Sequence, residues 1–132
     1  MNPHYPAVAE RAGHRCEYCR APEAVFNFPF EVEHIIPPGA GGADADLNLA
    51  LACRACNICK SNHTREADPD SHLLADLFHP RRQRWEDHFG VDEQGMIFGK
   101  TPSGRATVAR LQMNSAHQST ARRHWIRLEV YP

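Results

Sequence analysis

At 132 residues the chain has the length of one domain, since roughly 100–200 residues per domain is usual. No apolar run reaches the about 18 residues that cross a bilayer, which excludes a membrane-spanning segment of that kind, and small domains often add a metal to a modest core. The net charge of −1 hides an asymmetry: residues 99–132 carry six cations against Glu129 alone, +5, leaving −6 for residues 1–98, as suits either a polyanion-binding surface or a solvated helix face.

The N-terminal MNPHYPAVAERAGH lacks a basic n-region and an apolar h-region, so no secretory signal is expected and the protein is placed in the cytoplasm. PAVAERAG, residues 6–13, reads as a short helix with Pro at its start and Gly as its stop. HRCEYC then closes a tight C-x-x-C knuckle. VFNF and FEVEHII flank Pro29 and predict two strands paired as a hairpin. Within the second run, alternation puts Val32, His34 and Ile36 on one face and Glu31, Glu33 and Ile35 on the other. PPGAGGADAD, 37–46, is a loop. A helix follows from Cys53 or Arg54 to Asn62, and READPDS reads as another loop. Farther on, RRQRWEDHF (81–89) predicts a short helix and MIFGK (96–100) a strand. PSGRATVARLQMN predicts a helix with Val108 and Leu111 on one side, and residues 115–131 a last helix with Trp125 and Leu128 at i,i+3.

Five cysteines in a chain that is not exported point to a metal or to reduced thiols rather than to disulfides. Cys16 and Cys19 make one C-x-x-C pair, Cys53 and Cys56 a second. Two such knuckles can close a tetrahedral thiolate site whose default occupant is Zn²⁺; a rubredoxin-like iron site and four reduced thiols are the other readings. Cys59, one helical turn on, extends the second pair to C-x-x-C-x-x-C and is an alternative ligand, but is expected to be a small buried residue. A zinc held by four thiolates has no open position, so any chemistry must come from other side chains.

The order of motifs is C-x-x-C, V-E-H-I-I-P, a Gly-Gly loop, D-L-N-L, then C-x-x-C-N-x-x-K. It resembles the HNH endonucleases with a treble-clef, zinc-stapled core, over about residues 14–63. LFHPRRQRWEDHF and TPSGRATVARLQMN are similar to the C-terminal extension of one bacterial branch of that family. The resemblance implies an α+β fold: a ββα-metal core with structural zinc over residues 1–66, and a mostly helical C-terminal extension, 67–132, packed on it. It implies that His34 is the general base, that Asn48 organises the loop and orients the histidine, and that Lys60 lies close to the phosphate. It also implies that Glu33, where the family usually has Asp, and Asn57 hold a divalent cation. This donor set favours Mg²⁺ or Mn²⁺ over softer metals.

A metal-dependent endonuclease hydrolysing the phosphodiester bonds of DNA is the function so implied, with two protomers needed to cut both strands at once. A nuclease needs cations that position phosphates, and Arg81, Arg82, Arg84, Arg105, Arg110, Arg122 and Arg123 are the candidates. The rival readings are a zinc-stapled nucleic-acid-binding module without cleavage and a zinc adaptor for a protein partner.

Overall fold

The computed structural model describes residues 1–132. Helix α1, Tyr5–Arg11, begins with a proline in its first turn, where a missing N–H leaves no bond unmade. It buries Val8 and Ala9, and Gly13, at φ 63°, turns the chain into the first knuckle. Strand β1, Glu31–His34, pairs antiparallel with β2, Leu49–Ala52, in the register Glu31 to Ala52 and His34 to Leu49. Helix α2, Arg54–Lys60, follows β2 directly.

The hairpin expected across Pro29 is therefore corrected. Glu23–Val25 is a turn of 3₁₀ helix, Val25 and Phe28 are exposed, and β1 finds its partner beyond the 35–48 loop. Two features account for this. The Glu23 carboxylate accepts from the Phe30 amide and the Tyr5 hydroxyl, which holds the 23–30 segment in a closed turn. Meanwhile β2 is Leu-Ala-Leu-Ala, buried at every position, and a strand apolar on both faces belongs at the centre of a core.

READPDS is likewise not a plain loop. Residues Arg65–Ala67 form β3, paired antiparallel with β4, Leu74–Asp76. The helix expected over 81–89 narrows to α3, Trp85–His88, because the chain turns extended at Phe89 to form β5, Phe89–Val91. That strand pairs with β6, Ile97–Gly99, in the segment expected to be extended. Helices α4, Pro102–Arg110, and α5, Ala116–Arg127, lie where helices were expected. Each has a hydroxyl N-cap, Thr101 accepting from the Gly104 amide and Ser115 from the Gln118 amide. The fold is α+β, five helices with three two-stranded antiparallel sheets.

One apolar cluster runs from Val8 through the knuckle cysteines and β2 to Trp85, Phe89, Ile97, Leu111 and Met113. Hydrogen bonds tie its far parts to the first knuckle. The Trp85 indole donates to the Tyr18 carbonyl at 2.7 Å, and the Tyr131 hydroxyl to the Cys19 carbonyl at 2.8 Å.

Candidate functional site

The four cysteines of the two knuckles converge. Their sulfurs all lie within 4.8 Å of one another, and all four residues are buried. None of the chain's cysteines is in a disulfide, and Cys59 stands outside the cluster. Zn–S bonds of about 2.3 Å in a tetrahedron put the sulfurs about 3.8 Å apart, and Cys19 and Cys53 are 3.8 Å apart. The donor set fits structural zinc. Burial opposes ionisation of Cys16, but bonds from the Cys19, Cys53 and Cys56 thiols outweigh it and draw Cys16 well below the ordinary thiol value. Cys53 and Cys56 are driven up, first by their bonding to Cys16. Without a metal, one thiolate is solvated by protonated neighbours; a dication can offset the charge of the full set. Cys53 is also the N-cap of α2, its sulfur accepting from the Cys56 amide. The second knuckle and the start of the helix are one device.

His34 ends β1 with its side chain 30% exposed, and its Nε2 lies 3.2 Å from Asp44 Oδ1. The loop that follows is pinned by Asn48. The Asn48 side chain accepts from the Ile36 amide at 2.9 Å and donates to the Ile36 and Ala43 carbonyls, each at 2.8 Å. Its own carbonyl accepts from the Ile35 amide at 2.9 Å. Gly42 closes the loop against the same point: a Cβ there would stand 1.7 Å from the Ile36 oxygen, so only glycine fits.

Glu33, next to His34 in sequence, leaves the strand on the opposite face. It is 5% exposed, and its carboxylate accepts from the Tyr18 hydroxyl and, at 3.1 Å, from Lys60 Nζ. Burial raises the Glu33 carboxyl above the usual range, against the pull of Lys60 and Tyr18. Lys60 is itself 1% exposed and also donates to the Ile35 carbonyl at 2.9 Å. Asn57 does not meet Glu33; its amide donates to Glu31 Oε2 at 2.6 Å, beside the Arg54–Glu31 ion pair. Two implied roles are thereby corrected. Glu33 and Asn57, as arranged, do not fit a shared catalytic cation, because the Glu33 oxygens are buried and already bonded. Lys60 does not line a phosphate site, because its ammonium is enclosed between α2 and the end of β1.

Comparison with known proteins decides what this arrangement belongs to. Residues 16–63 match the family model described as HNH endonuclease. This segment is an HNH domain. The chain is also 33% identical over 79 residues to the Septu protein PtuA of Bacillus mycoides (strain KBAB4). That match covers 52% of this chain and 11% of the relative, so the chain spans about a tenth of the length of the curated protein it matches. No solved structure matches.

Around the HNH domain the arginines divide sharply. Arg122 is fully buried and donates to the Gly95 and Met113 carbonyls. Arg105 grips Asp68 with two bonds of 2.8 and 2.9 Å, and Arg110 pairs with Glu66. Arg81 pairs with Glu17, and burial, with help from Arg11, pushes its guanidinium down to about 10. Arg122 is thereby corrected from a candidate DNA contact to a buried structural cation, while Arg81, Arg105 and Arg110 are each tied to a carboxylate of this chain. Arg82 and Arg84 are exposed without a carboxylate partner, and Arg123 is half-buried with only Thr120 beside it. Arg82 lines a groove of about 350 Å³ that also takes in Ile36, Arg65, His79 and Gln83. His79 is held below the ordinary histidine value by burial and then by the charge of Arg82.

Sequence reading passed over Asp44 and His4. Asp44 lies in a glycine-rich loop whose composition announces only a turn, and His4 has no ligand spacing to anything. His4 Nε2 is 3.5 Å from Asp44 Oδ2. No local pattern carries that meeting; it needs the start of α1 to fold against the loop.

Proposed function

We propose that the protein is an endonuclease that hydrolyses phosphodiester bonds in DNA, with His34 as the general base. The observation that carries this reading is the HNH match over residues 16–63, with a half-exposed His34 at the end of β1. A neutral imidazole is a competent proton acceptor. It takes a proton from water as the water oxygen bonds to phosphorus; the phosphorus–O3′ bond breaks, and the departing oxygen takes a proton to become a 3′-hydroxyl. A groove lined by Ile36, two residues on from His34, and by Arg65, His79 and Arg82 offers cations for a phosphate. The HNH family implies a divalent cation such as Mg²⁺ or Mn²⁺. The arrangement of Glu33 and Asn57 does not supply its ligands, so the proton transfer and phosphate contacts above involve this chain's residues alone.

One observation favours a second reading, a nucleic-acid-binding module of the same fold without cleavage: Glu33 and Lys60 neutralise each other in the interior. Nicking of supercoiled plasmid by wild type and His34→Ala, in Mg²⁺, Mn²⁺ and EDTA, separates the two. The nuclease reading expects nicks that fall by about 10²-fold or more in the variant. A zinc-loaded wild type that shifts DNA in a gel and leaves it uncut would establish the binding module instead.

A further inference from the structure

We propose that Asp44 is the positioning residue of His34: its carboxylate accepts the imidazole Nε2–H and so keeps the Nδ1 lone pair free for the attacking water. The kinetic half of this inference rests on the nuclease reading above; the pairing itself does not.

Three observations carry it. Asp44 Oδ1 lies 3.2 Å from His34 Nε2, within reach of a hydrogen bond. The two acids of β1 itself are engaged elsewhere: Glu33 with Tyr18 and Lys60, Glu31 with Arg54 and Asn57. Finally, the backbone next to Asp44 is held, since Asn48 bonds the Ala43 carbonyl and Gly42 abuts the Ile36 oxygen. The carboxylate is exposed, yet it hangs from an anchored segment. His4 stands on its other side, with its Nε2 3.5 Å from the second oxygen.

The chemistry follows from the imidazole. In a neutral ring one nitrogen donates and the other accepts, and the partner at one nitrogen decides the role of the other. An ionised carboxylate accepts only, so Nε2 carries the hydrogen and Nδ1 is the base. The family resemblance implied a cation-holding role for Glu33 and gave the orienting of His34 to Asn48; the strand alternation that buries Glu33 exposes His34 to Asp44.

The test compares wild type with Asp44→Ala and Asp44→Glu. Two readouts are taken: kcat and KM for plasmid nicking, and the His34 ring Nε2–H resonance in ¹⁵N-labelled protein. The expected result is a fall in kcat of about tenfold or more for Asp44→Ala, a part of the roughly 10²–10⁴-fold that a general base contributes. KM should stay within about twofold, the Nε2–H signal should be lost to exchange, and Asp44→Glu should restore part of both. An unchanged kcat, or an Nε2–H signal that persists in Asp44→Ala, would overturn the proposal. So would a loss of cleavage that excess Mn²⁺ repairs, since that would make Asp44 a cation ligand. If the wild type cuts nothing, the nuclease reading fails by itself, and the resonance alone decides whether Asp44 holds His34.

Discussion

Glu33 and Lys60 show how much a single strand face decides. Both charges sit in the interior, 3.1 Å apart, with Tyr18 bonded to the free side of the carboxylate. Removing one partner of such a pair strands the other charge away from water, typically at a cost of about 3–5 kcal/mol. Lys60→Ala is therefore expected to lower the urea-unfolding free energy by about that much. The double variant Glu33→Gln/Lys60→Met should be closer to wild type than Lys60→Ala, because neither remaining group is charged. Equal destabilisation by the single and the double variant would show that the lysine matters through its packing alone.

Among the elements, the loop from Pro37 to Asn48 and the β3–β4 hairpin each depend on one residue. A methyl group at Gly42 would overlap the Ile36 carbonyl, so Gly42→Ala must open the loop that Asn48 closes. The expected cost is about 1–3 kcal/mol, the usual range for forcing extra volume into a packed site, measured by thermal unfolding of the zinc-loaded protein. The hairpin turns on Asp68, fully buried, which accepts from Arg105, Ser71 and the Asp70 amide. The bonds from Arg105, chiefly, hold its carboxyl far below the ordinary carboxylate range. A depressed carboxylate pKa contributes stability that is present above the unfolded value, about 3.9, and is lost as pH falls toward the folded one. Asp68→Asn should thus lower the urea midpoint at pH 7, and the gap to wild type should narrow below about pH 4. A gap that is constant across pH would mean that Arg105 contributes through geometry and not through charge.

Across the whole molecule, the zinc quartet joins parts that are far apart in sequence. Its sulfurs come from both ends of the ββα unit, and the carbonyls of Tyr18 and Cys19 receive Trp85 and Tyr131 from the second half of the chain. Because the cluster forms only in the folded state, metal binding and folding are linked. Stripping zinc with a strong chelator should collapse the circular dichroism of α4 and α5 together with that of the metal site, in one transition. Cys59→Ser should still bind one zinc per chain, as judged by elemental analysis. Survival of the C-terminal helices in the stripped protein would show that the two halves fold separately.

The sequence by itself determined the metal quartet, the start of the helix at the second knuckle, the 37–46 loop and the resemblance to HNH endonucleases. All of these follow from residue types at short, fixed spacings. C-x-x-C places two sulfurs on one turn wherever the chain goes, and a Pro-Gly-rich run must bend. The pairing of strands was not legible. VFNF and LALA are both short apolar runs, and choosing between them as the partner of β1 depends on which one the rest of the core covers. Nor were the tasks of the charged residues legible. Glu33, Lys60, Arg105 and Arg122 look in sequence like any solvated acid or base; the tertiary structure buries Glu33, Lys60 and Arg122 against specific partners and pairs Arg105 with the buried Asp68. The physical reason is the same in each case. A charge has no face of its own until the fold sets the dielectric around it, and Asp44 meets His34 only because α1, the loop and β1 close on one another.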